Sequence, residues 1–415
     1  MFSRFQTALV APFFFSALTG CAHLNAEPNR LNSDALHQRL LVLDTHLDTP
    51  ARMEYADFNI LERHDPDHDF SQVDLPRMIE GGLDGGFWVI FTDQGPLTEE
   101  GYAAALETAM RRSDIIRDMT ANYPDEFTLA TRTEDAKNIS ETGRRVVYQS
   151  IENAYPLGRD LSLVSTFYDL GVRMIGPVHT SNNQFSDSST DEAGPRWNGL
   201  SPLGRQLIAE ANRLGMIVDA SHASDTALSQ MIDLSKTPVI LSHSGAKDVY
   251  DHPRNVSDDL LVKLAASGGV IQMNNLGWYL TDLKDPDGHD EAIAAVFTAH
   301  ATSPHEMTER EAAAFTSDLR AAFAQYPEAK ASFEDFIDQF LHVLELIGPE
   351  HVGVGADWDG GGGTIDFNDV SVLQHLTSRL LAEGYTEDDL TLIWGGNVLR
   401  LLKQAHVYAA SQDAE

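Results

Sequence analysis

The chain of 415 residues predicts an α/β fold, a (β/α)8 TIM-like barrel with a helical insertion between its seventh and eighth strands, on three observations. Eight short apolar runs are continuous rather than alternating, as strands buried on both faces are. Helical stretches separate them, giving the strand–helix rhythm of a parallel sheet. Six of the eight runs end in His, Asp or Glu, and a parallel barrel gathers all its strand ends around one mouth. A doubly wound open sheet is the alternative, but no glycine-rich phosphate loop follows the first strand.

The elements follow in chain order. Residues 1–20 carry one charge, Arg4, ahead of an apolar run from Ala8 to Leu18, too short and wrongly flanked to span a bilayer. The run closes on Leu18-Thr19-Gly20-Cys21, which resembles a bacterial lipoprotein signal whose cysteine is lipidated and becomes the first residue. Ala22 rather than Asp follows, which points to an outer-membrane anchor facing the periplasm. Residues 21–33 then read as a polar tether and 34–410 as one barrel domain. Its strands are expected at Leu41–Leu43, Phe87–Phe91, Val146–Ile151, Val172–Val178, Met216–Val218, Val239–Leu241, Val270–Met273 and Val352–Val354. Helices are expected at Thr98–Tyr123, Asp160–Leu170, Ser201–Leu214, Ala223–Leu234 and Asp258–Ala266, with Ser201, Ser224 and Ser257 as N-caps. The insertion, about residues 280–335, is acidic and helical in pattern (Glu291–His300, Glu309–Tyr326, with Phe333–Ile347 leading into the last strand). It reads as an excursion over the mouth, either a lid or an oligomer contact such as a homodimer would use.

Composition narrows the chemistry. The hydrophobic share of 42% is that of a globular protein. With 29 Lys+Arg against 63 Asp+Glu the formal charge is −34, and loss of Arg4 with the signal makes it −35, so nucleic acid is excluded as a partner. Cys21 is the only cysteine, which rules out an intrachain disulfide and any thiolate metal cage. Metals must be held by His, Asp and Glu.

The strand ends carry such residues. His46 and Asp48 stand two apart, so on an extended backbone both point to one face as a metal half-site. Glu152 ends the third strand, His179 the fourth, Asp219 and His222 the fifth, His243 the sixth and Asp357 the eighth. The remaining histidines, His37 and His289 among them, read as surface or packing residues. The converging set exceeds what one tetrahedral ion needs, and two ions sharing a bridging carboxylate is the economical solution. Such a pair polarises a carbonyl and yields a bridging hydroxide near neutral pH, with Asp357 the natural general base and acid. The reaction class is metal-assisted hydrolysis.

In order and spacing these segments resemble the membrane dipeptidase family (renal dipeptidase-like, peptidase family M19, within the amidohydrolase superfamily). The matching runs include Asp44-Thr45-His46-Leu47-Asp48, Gly82-Leu83-Asp84-Gly85-Gly86-Phe87-Trp88, Val218-Asp219-Ala220-Ser221-His222, Ser242-His243-Ser244, Asp251-His252-Pro253-Arg254-Asn255 and Gly355-Ala356-Asp357-Trp358-Asp359-Gly360. The resemblance implies two zinc ions and hydrolysis of small dipeptides with a free C-terminal carboxylate. It implies that His46 and Asp48 hold the first zinc, His222 and His243 the second, and Glu152 bridges both. His179 would contact substrate and polarise the scissile carbonyl, Arg254 would grip the C-terminal carboxylate, and Asp357 would shuttle the proton. His252 is expected to brace its loop, Asp359 to support Asp357 or reach substrate, and Asp44 to act behind the metal pair.

Three departures from the family pattern bear on specificity. Asn153-Ala154-Tyr155-Pro156 replace two glycines after Glu152, Asn274-Asn275-Leu276 replace an aromatic run, and Tyr279 stands as the candidate for a missing substrate-contacting tyrosine. Two other functions remain open. A different amidohydrolase activity on esters, lactones or phosphotriesters would have no use for a carboxylate clamp at Arg254. A non-catalytic peptide- or metal-binding lipoprotein would have no use for a proton shuttle at Asp357.

Overall fold

The computed structural model describes residues 33–412. The expected signal peptide, the lipidation site Cys21 and nearly all of the tether lie outside the described residues. Among the described residues there are nine parallel strands: β1 Leu43–Leu47, β2 Gly85–Ile90, β3 Phe127–Leu129, β4 Arg145–Ile151, β5 Val172–Ile175, β6 Ile217–Val218, β7 Ile240–Ser244, β8 Val270–Met273 and β9 Val352–Val354. They pair as β1-β2-β4-β5-β6 and as β7-β8-β9. Single bridges, Asp219 to Ile240 and Leu47 to Trp358, join the two sheets into a ring of eight.

The ninth strand is a correction to the sequence expectation. β3 pairs with the first residues of β4 (Phe127 with Arg145, Leu129 with Val147) along the edge that β5 takes over from Gln149 onward. Three residues with only Phe127 fully buried give too weak a pattern to be read as a strand. The first strand also shifts. It spans Leu43–Leu47 rather than Leu41–Leu43, so Asp44 and His46 lie inside it and are buried. The fourth expected strand stops at Ile175, and the sixth runs on to Ser244 through His243. In each polar extension the strand pairs on its backbone while its polar side chains are buried at the mouth.

A layer of apolar side chains fills the ring below the mouth. Phe87 and Tyr148 stack with ring centroids 5.0 Å apart, in one cluster with Leu43, Met174, Ile217, Ile240 and Val270. Side chains alternate along a strand, so Phe91, Glu152 and Asn274, each four residues beyond Phe87, Tyr148 and Val270, lie on that same inner face. Gly86 lets β2 close on β1: a Cβ there would collide with the carbonyl of Asp44.

Helices cover the outside. Ser201 and Ser224 cap theirs as expected, accepting from Gly204 N (3.0 Å) and Ala227 N (3.3 Å), whereas the Ser257 side chain makes no cap bond. The helix Asn397–Gln412 sends Val398, Leu401 and Leu402 into the inner cluster. Between β8 and β9 lie helices His289–Ala299, Glu309–Gln325 and Phe333–Ile347. Phe315 stacks on Tyr55 (6.0 Å) and Phe323 packs on Phe70 (5.3 Å), which places the second of these helices on the chain following β1. His37 is a packing residue, bonded to Thr377 Oγ1 (2.7 Å) and the Gly81 carbonyl (2.8 Å).

Asp84 ties β1 to β2 at the closed end, its Oδ2 accepting from Val42 N at 2.9 Å. Burial pushes its carboxyl up to about 6, against the pull of that bond and of Arg145. The folded protein therefore holds the Asp84 proton where the unfolded chain has lost it, and stability from this group falls as pH rises from about 4 to about 6. Asp84→Asn is expected to flatten that part of the stability–pH curve by roughly 2 kcal/mol. Urea midpoints of both proteins at pH 4.5 and 7 check it, and parallel curves would refute it.

Candidate metal centre

His46 enters the mouth from β1, with its backbone N–H held by Asp44 Oδ1 at 2.8 Å. Asp44 Oδ2 accepts from Ala356 N at 3.1 Å, so this carboxylate links β1 to the loop carrying Asp357 from behind. Asp48 precedes the short helix Thr49–Arg52 without a capping hydrogen bond from its side chain, and its Oδ2 lies 3.3 Å from His46 Nε2. Glu152 leaves β4 and faces four histidines. Its Oε2 is 3.5 Å from His46 Nε2, and its Oε1 is 2.9, 3.3 and 3.9 Å from the Nε2 atoms of His222, His243 and His179. The Nε2 atoms of His222 and His243 are 2.8 Å apart.

His243 has a defined tautomer. Ser242 Oγ donates to Asp219 Oδ2 (2.6 Å) and therefore accepts from His243 Nδ1 (3.0 Å). That places the ring proton on Nδ1 and leaves the Nε2 lone pair toward Glu152. Asp219 also accepts from the backbone N–H groups of Ser221 and Ser242, both at 3.0 Å, so it is a brace for two loops and stands behind His243.

The charge balance is unusual for a buried cluster. Burial alone would lower the His46 pKa, but Glu152 and Asp48 outweigh it and hold the imidazole well above its ordinary value. Burial lowers His222 and His243 well below theirs, with Arg254 adding to it. Burial, with Asp48 and Glu152 adding to it, pushes Asp357 up to about 7 against the pull of His46 and Arg254. Buried Glu152 Oε1, His46 Nδ1 and Nε2, and His222 Nδ1 make no hydrogen bond. Imidazole nitrogens and carboxylate oxygens converging on one space, several of them without a hydrogen-bond partner, fit a cationic occupant. Three overlapping triads lie within ligand reach, His46/Glu152/His243, Glu152/His179/His222 and His46/Asp48/Asp357. Glu152 belongs to two of them, and metal ions therefore suit the residues present.

Asp357 Oδ2 accepts from Asn274 Nδ2 at 3.3 Å, and Asn274 Oδ1 is itself fixed by Leu276 N at 2.7 Å. The other oxygen, Oδ1, is 4.0 Å from His46 Nε2. Asp357 and His222 both have φ of +66°, a left-handed conformation costly for non-glycine residues and typical of functional sites. Gly360 has to be glycine, since a Cβ there would collide with Asp48 Oδ2 and Asp357 Oδ1. Asp359 is taken up by Thr49 Oγ1 (2.7 Å) and Gln72 N (2.6 Å), a support for the loop. Asn153 has φ of +62°, and its Oδ1 accepts from Tyr155 N at 3.2 Å, so an asparagine supplies this left-handed turn.

His179 is the most open of the set, its side chain 26% exposed, with the Phe91 ring edge-on at 4.8 Å. Burial lowers its pKa, which keeps the imidazole neutral and able to donate one hydrogen bond. Arg254 is 2% exposed. Its Nη1 donates to Ser244 Oγ (2.7 Å) and its Nη2 to the His243 carbonyl, while its buried Nε has no acceptor. The guanidinium lies 5.8 Å from the Tyr279 ring, and Tyr279 itself lines the mouth. His252 does brace this loop, accepting from Arg254 N at 3.1 Å and packing on Tyr279 at 4.8 Å. The cavity holds about 360 Å3. Asn274 stands at a strand end like the other site residues, but the sequence marks it only as a departure from the family pattern and not as a partner of Asp357. Phe91 and Arg112 also line the cavity and had no local signal.

The chain matches the description of the membrane dipeptidases (Peptidase family M19) over residues 31–415. It is 30% identical to Dipeptidase tcpJ of Claviceps purpurea across 86% of this chain and 75% of that protein. It is also 30% identical to Dipeptidase aclJ of Aspergillus oryzae, across 97% and 88%. Among solved structures, the probable dipeptidase PvdM from Pseudomonas aeruginosa superposes with a TM-score of 0.78 at 28% identity, covering 92% of this chain and all of that one.

Proposed function

Since this chain belongs to the membrane dipeptidase family, peptidase family M19, we propose that it is a dinuclear zinc dipeptidase cleaving small dipeptides with a free C-terminal carboxylate. The observation that carries the reading is the convergence of Glu152 Oε1 with the Nε2 atoms of His222 and His243, beside the His46–Asp48 pair. His46, Asp48 and Glu152 would hold one zinc, and Glu152, His222 and His243 the other. Zinc, when bound, supplies Lewis acidity and a water acidic enough to attack near neutral pH.

The chain's own groups do the rest. Asp219, through Ser242, keeps His243 in the tautomer that offers Nε2. His179 donates its ring N–H to the scissile carbonyl oxygen as negative charge develops there. Arg254, anchored through Ser244 and the His243 carbonyl, supplies the positive charge that the C-terminal carboxylate meets. Asn274 pins one oxygen of Asp357, leaving Oδ1 to take a proton from the nucleophile and pass it to the leaving amine. On the same reading the enzyme is exported and tethered by lipid on Cys21 to the outer membrane, facing the periplasm. Membrane fractionation of the full chain beside Cys21→Ser checks this, and equal solubility of the two would refute it.

Zinc content and turnover of residues 22–415 test the activity, on Gly and Ala dipeptides with L- or D-residues at the C-terminal position. About two zinc ions, cleavage of free acids, and poor cleavage of C-terminally amidated controls are expected. Arg254→Ala should erase the preference for the free acid. Two zinc ions without any dipeptide cleavage would keep the hydrolase and remove the substrate.

A further inference from the structure

Besides Arg254, which is buried beside His243 rather than lining the cavity, the mouth has a partly buried cation in its wall. Arg112 projects from the long helix Glu99–Asn122 to the cavity wall, with its side chain 11% exposed. Its Nη1 donates to the Phe91 carbonyl at 2.6 Å and its Nη2 to Glu54 Oε2 at 3.3 Å, while the buried Nε has no acceptor. A guanidinium carries five N–H donors, and two are used here. Nor does Glu54 neutralise it fully, because Glu54 Oε1 also accepts from Arg111 Nε at 3.0 Å. Within this ion-pair cluster two arginines share one buried carboxylate.

The place of Arg112 in the ring gives its charge a direction. Phe91 follows β2, whereas Ser244 and His243, which hold Arg254, belong to β7. In the ring order β1-β2-β4-β5-β6-β7-β8-β9 these strands face each other across the barrel. A dipeptide whose C-terminal carboxylate is drawn to Arg254 therefore points its N-terminal residue toward the wall of Phe91 and Arg112.

We infer that Arg112 is a specificity-determining residue, and that it selects dipeptides bearing a carboxylate side chain on the N-terminal residue. The inference rests on the dipeptidase reading above. A planar guanidinium with free donors in a partly desolvated wall matches a carboxylate in charge and geometry. The protein's overall charge of −34 works against any anionic ligand, so a preference for one has to come from a local cation.

The test compares kcat/KM for Glu-Ala with that for its uncharged isostere Gln-Ala, in the zinc-loaded wild type and in Arg112→Gln, with Ala-Glu as the positional control. Wild type is expected to favour Glu-Ala over Gln-Ala by about tenfold or more, with no matching gain for Ala-Glu over Ala-Gln. In the variant the Glu-Ala to Gln-Ala ratio should collapse toward one. A wild-type ratio near one would overturn the inference without any variant having to fold. A variant that loses both activities equally and keeps the ratio would also overturn it, leaving Arg112 as a prop for Phe91. Failure to cleave any dipeptide would overturn the dipeptidase reading and this inference together, whereas cleavage without acid preference overturns the inference alone.

Discussion

Glu152→Gln is expected to lower bound zinc from about two ions per chain to one or fewer and to reduce turnover by roughly a thousandfold or more. Glu152 is the one carboxylate that reaches both halves of the cluster, with Oε2 3.5 Å from His46 Nε2 and Oε1 2.9 Å from His222 Nε2. The amide keeps the shape but replaces an anionic oxygen with an NH2 group that has no lone pair to offer a cation. His46 would also lose the first of the two carboxylates that hold its pKa up. The metal-free fold should lose some stability but remain folded, because buried His46 and His222 lose the carboxylate that faces them while the amide keeps its volume. Metal analysis, turnover and thermal melting of the metal-free protein together check this. Two retained zinc ions with full activity would remove Glu152 from the centre.

The second large effect is at Asp357. Asp357→Asn should lower kcat by about 10²- to 10⁴-fold, the usual contribution of a positioned general acid–base group. Zinc content and KM should change little, since the substitution keeps the side chain's size beside Asn274 and Gly360. The pH profile separates this role from a structural one. As a base, Asp357 works only when ionised, so wild-type kcat/KM should rise with pH through its pKa, and the variant should lose that acidic limb. A variant that retains the limb, or that loses zinc along with activity, would place Asp357 among the ligands rather than at the proton.

Much of this site is legible from residue order because a parallel barrel turns position along a strand into position in space. His46, Glu152, His179, His222, His243 and Asp357 are far apart in the chain, yet each follows an apolar run, and the ring brings those ends together. Strand limits were less legible. Local apolarity marks Leu41–Leu43, but the strand runs through Asp44 and His46, whose polar side chains are buried. β3 was missed because its three residues show too little periodicity.

By itself, then, the sequence determined the class of fold and the strand ends at which His, Asp and Glu gather, since each depends on residue type and on a period of two or 3.6. Tertiary structure alone decided which groups stand behind the gathered His, Asp and Glu side chains and which way these aim. The Asp219–Ser242–His243 relay, the Asn274 clasp on Asp357, the anchoring of Arg254 beside His243, and the approach of Arg112 to the wall opposite it are contacts between distant segments. Such contacts depend on strand register, ring closure and side-chain rotamer, none of which leaves a periodic trace in the local sequence. Arg112 shows the limit most directly: on a helix of 24 residues it looks like any solvated arginine until the barrel closes against it.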